Sequence, residues 1–133
     1  MTENSITIII TSFRSDNKII NCLNSISRKY KIIVIENSNN FSIKKKLEDQ
    51  YENVTCILAG ENLGYAKGNN LGLSKVKTPY ALILNPDTIV NENAIEKFFF
   101  NRRLIKLLPI NPYPPVTITF FIILLGEIII FLK

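Results

Sequence analysis

Short β-branched runs alternate along the chain with stretches in which apolar residues return every three or four positions. The first run, Ile6–Thr11, reads as a strand buried on both faces. A polar loop follows, with Ser15 or Asp16 placed to cap a helix. In that helix Ile19, Leu23, Ile26 and Tyr30 recur at spacings of four, three and four and make one apolar stripe. Lys31–Ile35 is a second strand. Ser42 is placed to cap a second helix, with Ile43, Leu47 and Tyr51 on one face. Val54–Ala59 reads as a third strand and Tyr80–Leu84 as a fourth, with a helix over about Tyr65–Ser74 between them. Strand alternating with helix predicts an α/β fold, a parallel sheet covered by helices. Ligands collect at the carboxyl edge of such sheets. The polar loops Thr11–Asp16, Glu36–Asn40, Gly60–Gly64 and Asn85–Asp87 fall at that edge.

The pattern breaks after Phe100, which divides the chain into residues 1–100 and a tail, 101–133. The tail opens with basic Asn101–Lys106, and Pro109, Pro112, Pro114 and Pro115 then interrupt any helix. Val116–Leu132 is apolar except for Gly126 and Glu127. It is short for a membrane-spanning helix and carries a carboxylate that is costly in hydrocarbon. A β-rich end fits its composition as well. The amino terminus lacks a basic segment before its short apolar run, so a cytoplasmic start is expected.

Composition narrows the chemistry. With 133 residues, 47% of them hydrophobic, the chain can form one ordinary domain with a core. It contains no histidine, which excludes Ser-His-Asp and Cys-His nucleophiles and zinc sites built on histidine. Cys22 and Cys56 lack the spacing of a metal or redox pair and are expected to be reduced and buried. The net charge of +5 comes largely from Lys44–Lys46 and the basic start of the tail. Neither cluster is interleaved with aromatics, so nucleic acid is not an expected partner. The lysine triplet reads as the solvated face of a helix. Carboxylates, amides, hydroxyls, backbone groups or a bound metal must carry any reaction.

Three segments offer such groups. Leu82-Ile-Leu-Asn-Pro-Asp-Thr is an apolar strand that delivers Asn85 and Asp87 to a loop. Two oxygen-bearing side chains at that spacing can hold Mg²⁺ or Mn²⁺ with substrate phosphate, although Asn-Pro-Asp is also good turn chemistry. Gly60-Glu-Asn-Leu-Gly-Tyr-Ala-Lys-Gly-Asn-Asn-Leu-Gly repeats glycine every four residues. Glycine in a helix costs about 1 kcal/mol relative to alanine, so close approach to a sheet or ligand should offset it. The segment is neither a P-loop nor a Rossmann fingerprint, and Lys67 within it can meet a diphosphate or simply face water. Ile32-Ile-Val-Ile-Glu-Asn-Ser ends a strand in a carboxylate able to accept bonds from a base or ribose, or to sit in an ordinary polar loop.

In their order and spacing, Ile8-Ile-Ile-Thr-Ser-Phe, Ile33-Val-Ile-Glu-Asn-Ser, Asn62-Leu-Gly-Tyr-Ala-Lys-Gly-Asn-Asn-Leu-Gly and Leu84-Asn-Pro-Asp-Thr resemble family 2 glycosyltransferases, especially the rhamnosyltransferase-like branch. The resemblance covers about Ser5–Ala94 and implies the GT-A fold in incomplete form. It places Thr11, Ser12 and Phe13 in a nucleotide-base pocket, and Glu36 where the family usually has a base-contacting Asp. Asn62, Gly64 and Lys67 would lie beside the sugar nucleotide. Asn85 and Asp87 would occupy the DxD position, with Asp87 the metal-side carboxylate and Mg²⁺ or Mn²⁺ the cofactor. The implied reaction is inverting, metal-dependent transfer of a sugar from a nucleotide donor to a saccharide or lipid-linked acceptor, in the cytoplasm or at the inner face of the membrane. The family's acceptor-binding half and catalytic base follow the DxD region, and nothing after Phe98 matches them. The expectation is therefore a donor-binding part of an interrupted enzyme. The competing reading is a non-catalytic nucleotide-binding module, or a membrane-associated one with the tail as anchor.

Overall fold

The structure, a computed structural model, describes residues 5–100 and 128–132. Strands β1 (Ile6–Ser12), β2 (Lys31–Glu36), β3 (Val54–Leu58) and β4 (Tyr80–Leu84) alternate with helices α1 (Asp16–Ser25), α2 (Phe41–Gln50) and α3 (Gly64–Lys75). Helix α4 (Ala94–Phe100) and strand β5 (Ile128–Leu132) complete the described elements. The sheet order is β3-β2-β1-β4-β5, parallel except for β5, which runs antiparallel to β4. This is the expected α/β architecture.

The continuous β-branched strands follow from burial on both faces. Ile8, Ile10, Ile32, Val34, Leu82 and Leu84 pack on Ile19, Cys22 and Leu23 of α1 and Ile43 and Leu47 of α2. Ile9, Ala81 and Ile83 point the other way and meet Val76 and the half-buried Leu73 at the end of α3. Fully burying one such aliphatic side chain is worth about 1.5–3 kcal/mol.

Helix α3 lies close on the sheet because two of its glycines allow it. A Cβ on Gly72 would stand 2.5 Å from Ile9 Cγ2, and one on Gly68 would stand 2.6 Å from Thr11 Cγ2. Gly64 does not share this role, since a Cβ there would meet nothing within 4 Å. The glycine repeat therefore serves packing at two of its positions.

Three local expectations are corrected. Helix α1 stops at Ser25, where Ile26 turns extended at φ −96° and ψ 133°. Ile26 and Tyr30 nonetheless reach the same core, so the stripe marked the buried face and overstated the helix. Asn40, not Ser42, caps α2: its Oδ1 accepts from Ser42 N at 3.0 Å and Ile43 N at 3.2 Å. The lysine triplet is not uniformly solvated. Lys44 turns inward to Glu48 at 2.6 Å and also donates to the Cys56 carbonyl, while Lys45 and Lys46 are exposed. In the tail, Ile128–Leu132 adds to the sheet edge, and the rest of the expected apolar segment lies outside the described residues. No described helix is long and apolar enough to cross a membrane.

Candidate functional site

After β1 the chain steps outward to β2 and β3, then returns through α3 to β4 on the other side of β1. That reversal opens a crevice at the carboxyl ends of β1 and β4, the place where open α/β sheets bind ligands. The β1–α1 loop and the Asn85–Asp87 loop flank it, and the loops after β2 and β3 lie alongside.

Thr11 and Ser12 end β1 buried, at 6% and 4% exposure. Thr11 Oγ1 donates to Asn69 Oδ1 of α3 at 2.6 Å. The Ser12 carbonyl accepts the Asn37 amide at 2.8 Å, which carries the β1–β2 pairing one residue past the strand. Phe13 instead stands 42% exposed, with the Arg14 guanidinium 5.2 Å from its ring centroid. Arg14 holds a left-handed backbone at φ 50°, a conformation that most side chains avoid. Of the three residues expected to line a base pocket, Phe13 offers a side-chain surface and the other two shape the strand end.

Glu36 departs from its expected surroundings. A carboxylate at the ligand edge was expected to face water or ligand, yet Glu36 is 2% exposed. Its Oε1 accepts Ser38 N at 3.1 Å and Ser38 Oγ at 2.5 Å, and its Oε2 accepts Asn40 N at 2.6 Å. The following residue, Asn37, points to the α3 side, where its Nδ2 donates to the Gly64 carbonyl at 3.1 Å. Its Oδ1 is buried without a hydrogen-bond partner. In the next loop the Asn62 side chain accepts the Gly64 amide at 3.0 Å and closes the turn into α3. Lys67 is exposed one turn further on.

On the other side of the crevice, the Asn85 carbonyl accepts Thr88 N at 3.1 Å and the Cys22 thiol at 3.7 Å. Asp87 is exposed, 3.6 Å from Lys18 Nζ of α1. Cys22 and Cys56 are free and buried, as expected, and burial pushes both thiols up to about 12. Among the described residues no group of three or more His, Cys, Asp or Glu converges on a metal position. Asp87 and Asn85 carry oxygen donors of the kind a hard cation takes.

The structure thus links Thr11, Ser12 and Gly64 through Asn69 and Asn37, and leaves Asp87 tied to α1 instead. Asn37, Asn39 and Asn69 were missed as site-forming residues. A polar Asn beside Gly68, on a helix face otherwise close-packed on the sheet, was the available signal for Asn69.

Residues 7–100 match glycosyl transferase family 2. A teichoic acid poly(glycerol phosphate) polymerase of Staphylococcus epidermidis is 31% identical over 107 residues, covering 71% of this chain and 15% of the relative. A low-salt glycan biosynthesis hexosyltransferase, Agl10, of Haloferax volcanii is 29% identical over 98 residues, covering 71% of this chain and 31% of the relative. The chain therefore spans less than a third of the length of either. Among solved structures, S. aureus TarS 1-349 superposes with a TM-score of 0.60 at 18% identity, over 85% of this chain and 38% of that one. The mannosyltransferase PcManGT of Pyrobaculum calidifontis, in complex with GDP-Man and Mn²⁺, gives 0.56 at 17% identity, over 62% of this chain and 27% of that one. At such identities the likeness shows the fold alone.

Proposed function

From the premise that this chain belongs to glycosyl transferase family 2, we propose that its carboxyl-edge crevice binds the nucleotide part of an activated-sugar donor. The full active site would then transfer the sugar, with inversion, to a saccharide or lipid-linked acceptor. The observation that carries this reading is the position of Phe13 and Asp87 on the two sides of the β1/β4 switch point. The exposed Phe13 ring offers a stacking face for a base, with Arg14 beside it. Asp87 and Asn85 would hold Mg²⁺ or Mn²⁺ against the diphosphate. Such a cation supplies charge stabilisation to the leaving diphosphate. Lys67, exposed on the first turns of α3, is a cation this chain offers to that diphosphate.

A base for the acceptor hydroxyl is a separate matter. Of the described acidic residues after Asp87, Glu96 accepts from Tyr30 Oη at 2.7 Å and pairs with Lys29 at 2.6 Å, and exposed Glu92 sits in no motif that matches the family's base. This supports reading the chain as the donor-binding part, with a non-catalytic nucleotide-binding module as the second reading.

Calorimetric titration of UDP and GDP, with and without Mn²⁺, tests the proposal. One nucleotide should bind more tightly with the metal, and Asp87→Ala should remove that difference while the far-UV circular dichroism stays the same. Equal affinity with and without metal in the parent chain would contradict it.

A further inference from the structure

We infer that Glu36 is a positioning residue, whose carboxylate braces two ligand loops rather than reading the base itself. The inference rests on the nucleotide-binding role proposed above and concerns how that site is built. An ionised carboxylate is an acceptor only. Both Glu36 oxygens are engaged inside the loop, by the Ser38 amide and hydroxyl and by the Asn40 amide. With 2% exposure, little of the group faces outward.

What the carboxylate holds matters for the next loop. Between its two partners lies Asn39, in the left-handed region at φ 59°. Asn39 Nδ2 donates to the Gly60 carbonyl at 2.9 Å, and Gly60 N donates back to Asn39 Oδ1 at 3.0 Å. This two-way clasp joins the β2–α2 loop to the β3–α3 loop that leads into Asn62 and Gly64. Asn40, held by Glu36 through its amide, caps α2 through its side chain. One buried carboxylate therefore fixes Ser38, Asn39 and Asn40 together.

The resemblance puts Asp at this position in the family, and the difference has a geometric meaning. Aspartate is shorter by one C–C bond, roughly 1.5 Å: it can keep the bond to the amide two residues on, at Ser38, but the more distant Asn40 amide asks for the longer side chain. Glutamate reaches around and closes the loop on itself. Base discrimination then falls to groups other than this carboxylate.

The test uses the full chain with Glu36→Asp, Glu36→Gln and Asn39→Ala, since exposed Asn39 keeps the test open if either Glu36 variant fails to fold. Affinities for UDP, GDP and CDP are measured with Mn²⁺, and amide hydrogen exchange at Ser38, Asn40 and Gly60 without nucleotide. A brace predicts that all three variants weaken every nucleotide by about tenfold, the scale of one or two lost hydrogen bonds, with the order of preference unchanged. It also predicts faster exchange at Gly60 in the Glu36 variants. Retained affinity in Glu36→Asp, or a changed base preference in Glu36→Gln, would overturn it and show direct base reading. Unchanged exchange at Gly60 would overturn it as well. Should the parent chain bind none of these nucleotides, the proposed function fails, and the exchange measurement still decides the brace.

Discussion

Thr11 Oγ1 lies 2.6 Å from Asn69 Oδ1, fastening the end of the central strand β1 to helix α3. The contact depends on Gly68, the preceding residue, where a Cβ would press to 2.6 Å from Thr11 Cγ2. The strand end that carries Phe13 into the crevice is thus set by a helix with glycine where it meets the sheet.

Gly72→Ala should destabilise the fold. Alanine gains up to about 1 kcal/mol of helix propensity, but overpacking a filled core costs about 1–3 kcal/mol. The new Cβ would stand 2.5 Å from Cγ2 of Ile9, which is fully buried in the central strand. Urea unfolding should show a lower midpoint. An equal or higher midpoint would show that α3 rides outward freely and that the glycine repeat has another cause.

Neither thiol should react in the folded chain. Burial raises Cys22 and Cys56 to about 12, with the Asp87 charge a smaller contribution at Cys22. The thiolate fraction near pH 8 is then negligible, and the thiolate is the nucleophile. Iodoacetamide should modify both cysteines in denaturant and neither in buffer. Prompt labelling of the native chain would contradict the packing of α1 on β4.

The Lys44–Glu48 pair should give the fold a distinct acid dependence. Hydrogen bonding to Lys44 lowers the Glu48 carboxyl below its usual range, helped by the Cys56 amide at 2.9 Å. A depressed carboxyl contributes stability above its unfolded value and loses it as pH falls through the folded one. Glu48→Gln should therefore cost stability at neutral pH and nothing once both forms are protonated. The effect is modest, since the pair is partly exposed. A stability difference that stays constant down the acid limb would contradict this.

The chain alone should show no sugar transfer, even if it binds donor. Transfer needs a base within hydrogen-bond reach of an acceptor hydroxyl; Glu96 is held by Tyr30 and Lys29, and Glu92 sits in no motif that matches the family's base. Incubation with nucleotide sugars, saccharide acceptors and Mn²⁺, followed by mass spectrometry, should yield no glycosylated product. Turnover that disappears in Asp87→Ala would show a complete site in this chain.

Much of the fold was legible because it follows from short-range pattern. Runs such as Ile8–Ile10 and Tyr80–Leu84 are apolar on successive residues, as strands covered on both faces are. The ligand edge followed from alternation of strand and helix. Helix α4 was not legible, since its seven residues make about two turns, too few for a stripe. The end of α1 was hidden because Ile26 and Tyr30 continue the apolar spacing after the backbone has left the helix. Phe13 and Asp87 could be placed at the edge from their neighbours in sequence. The inward turn of Glu36 could not, because it depends on where the Ser38 and Asn40 amides point, a tertiary fact with no spacing signature. Its bond with Asn40 also explains why the cap fell two residues before Ser42.

The location of nucleotide binding tests the account most directly. Amide NMR of the chain titrated with UDP or GDP in Mg²⁺ should shift resonances of Phe13, Gly64, Lys67 and Asp87, in the loops and the start of α3 that share the carboxyl edge of the sheet. It should leave the polar cleft lined by Ser27, Lys29, Asn91 and Glu96, toward the opposite edge, unchanged. Shifts confined to that second cleft, or no shifts at saturating nucleotide, would contradict it.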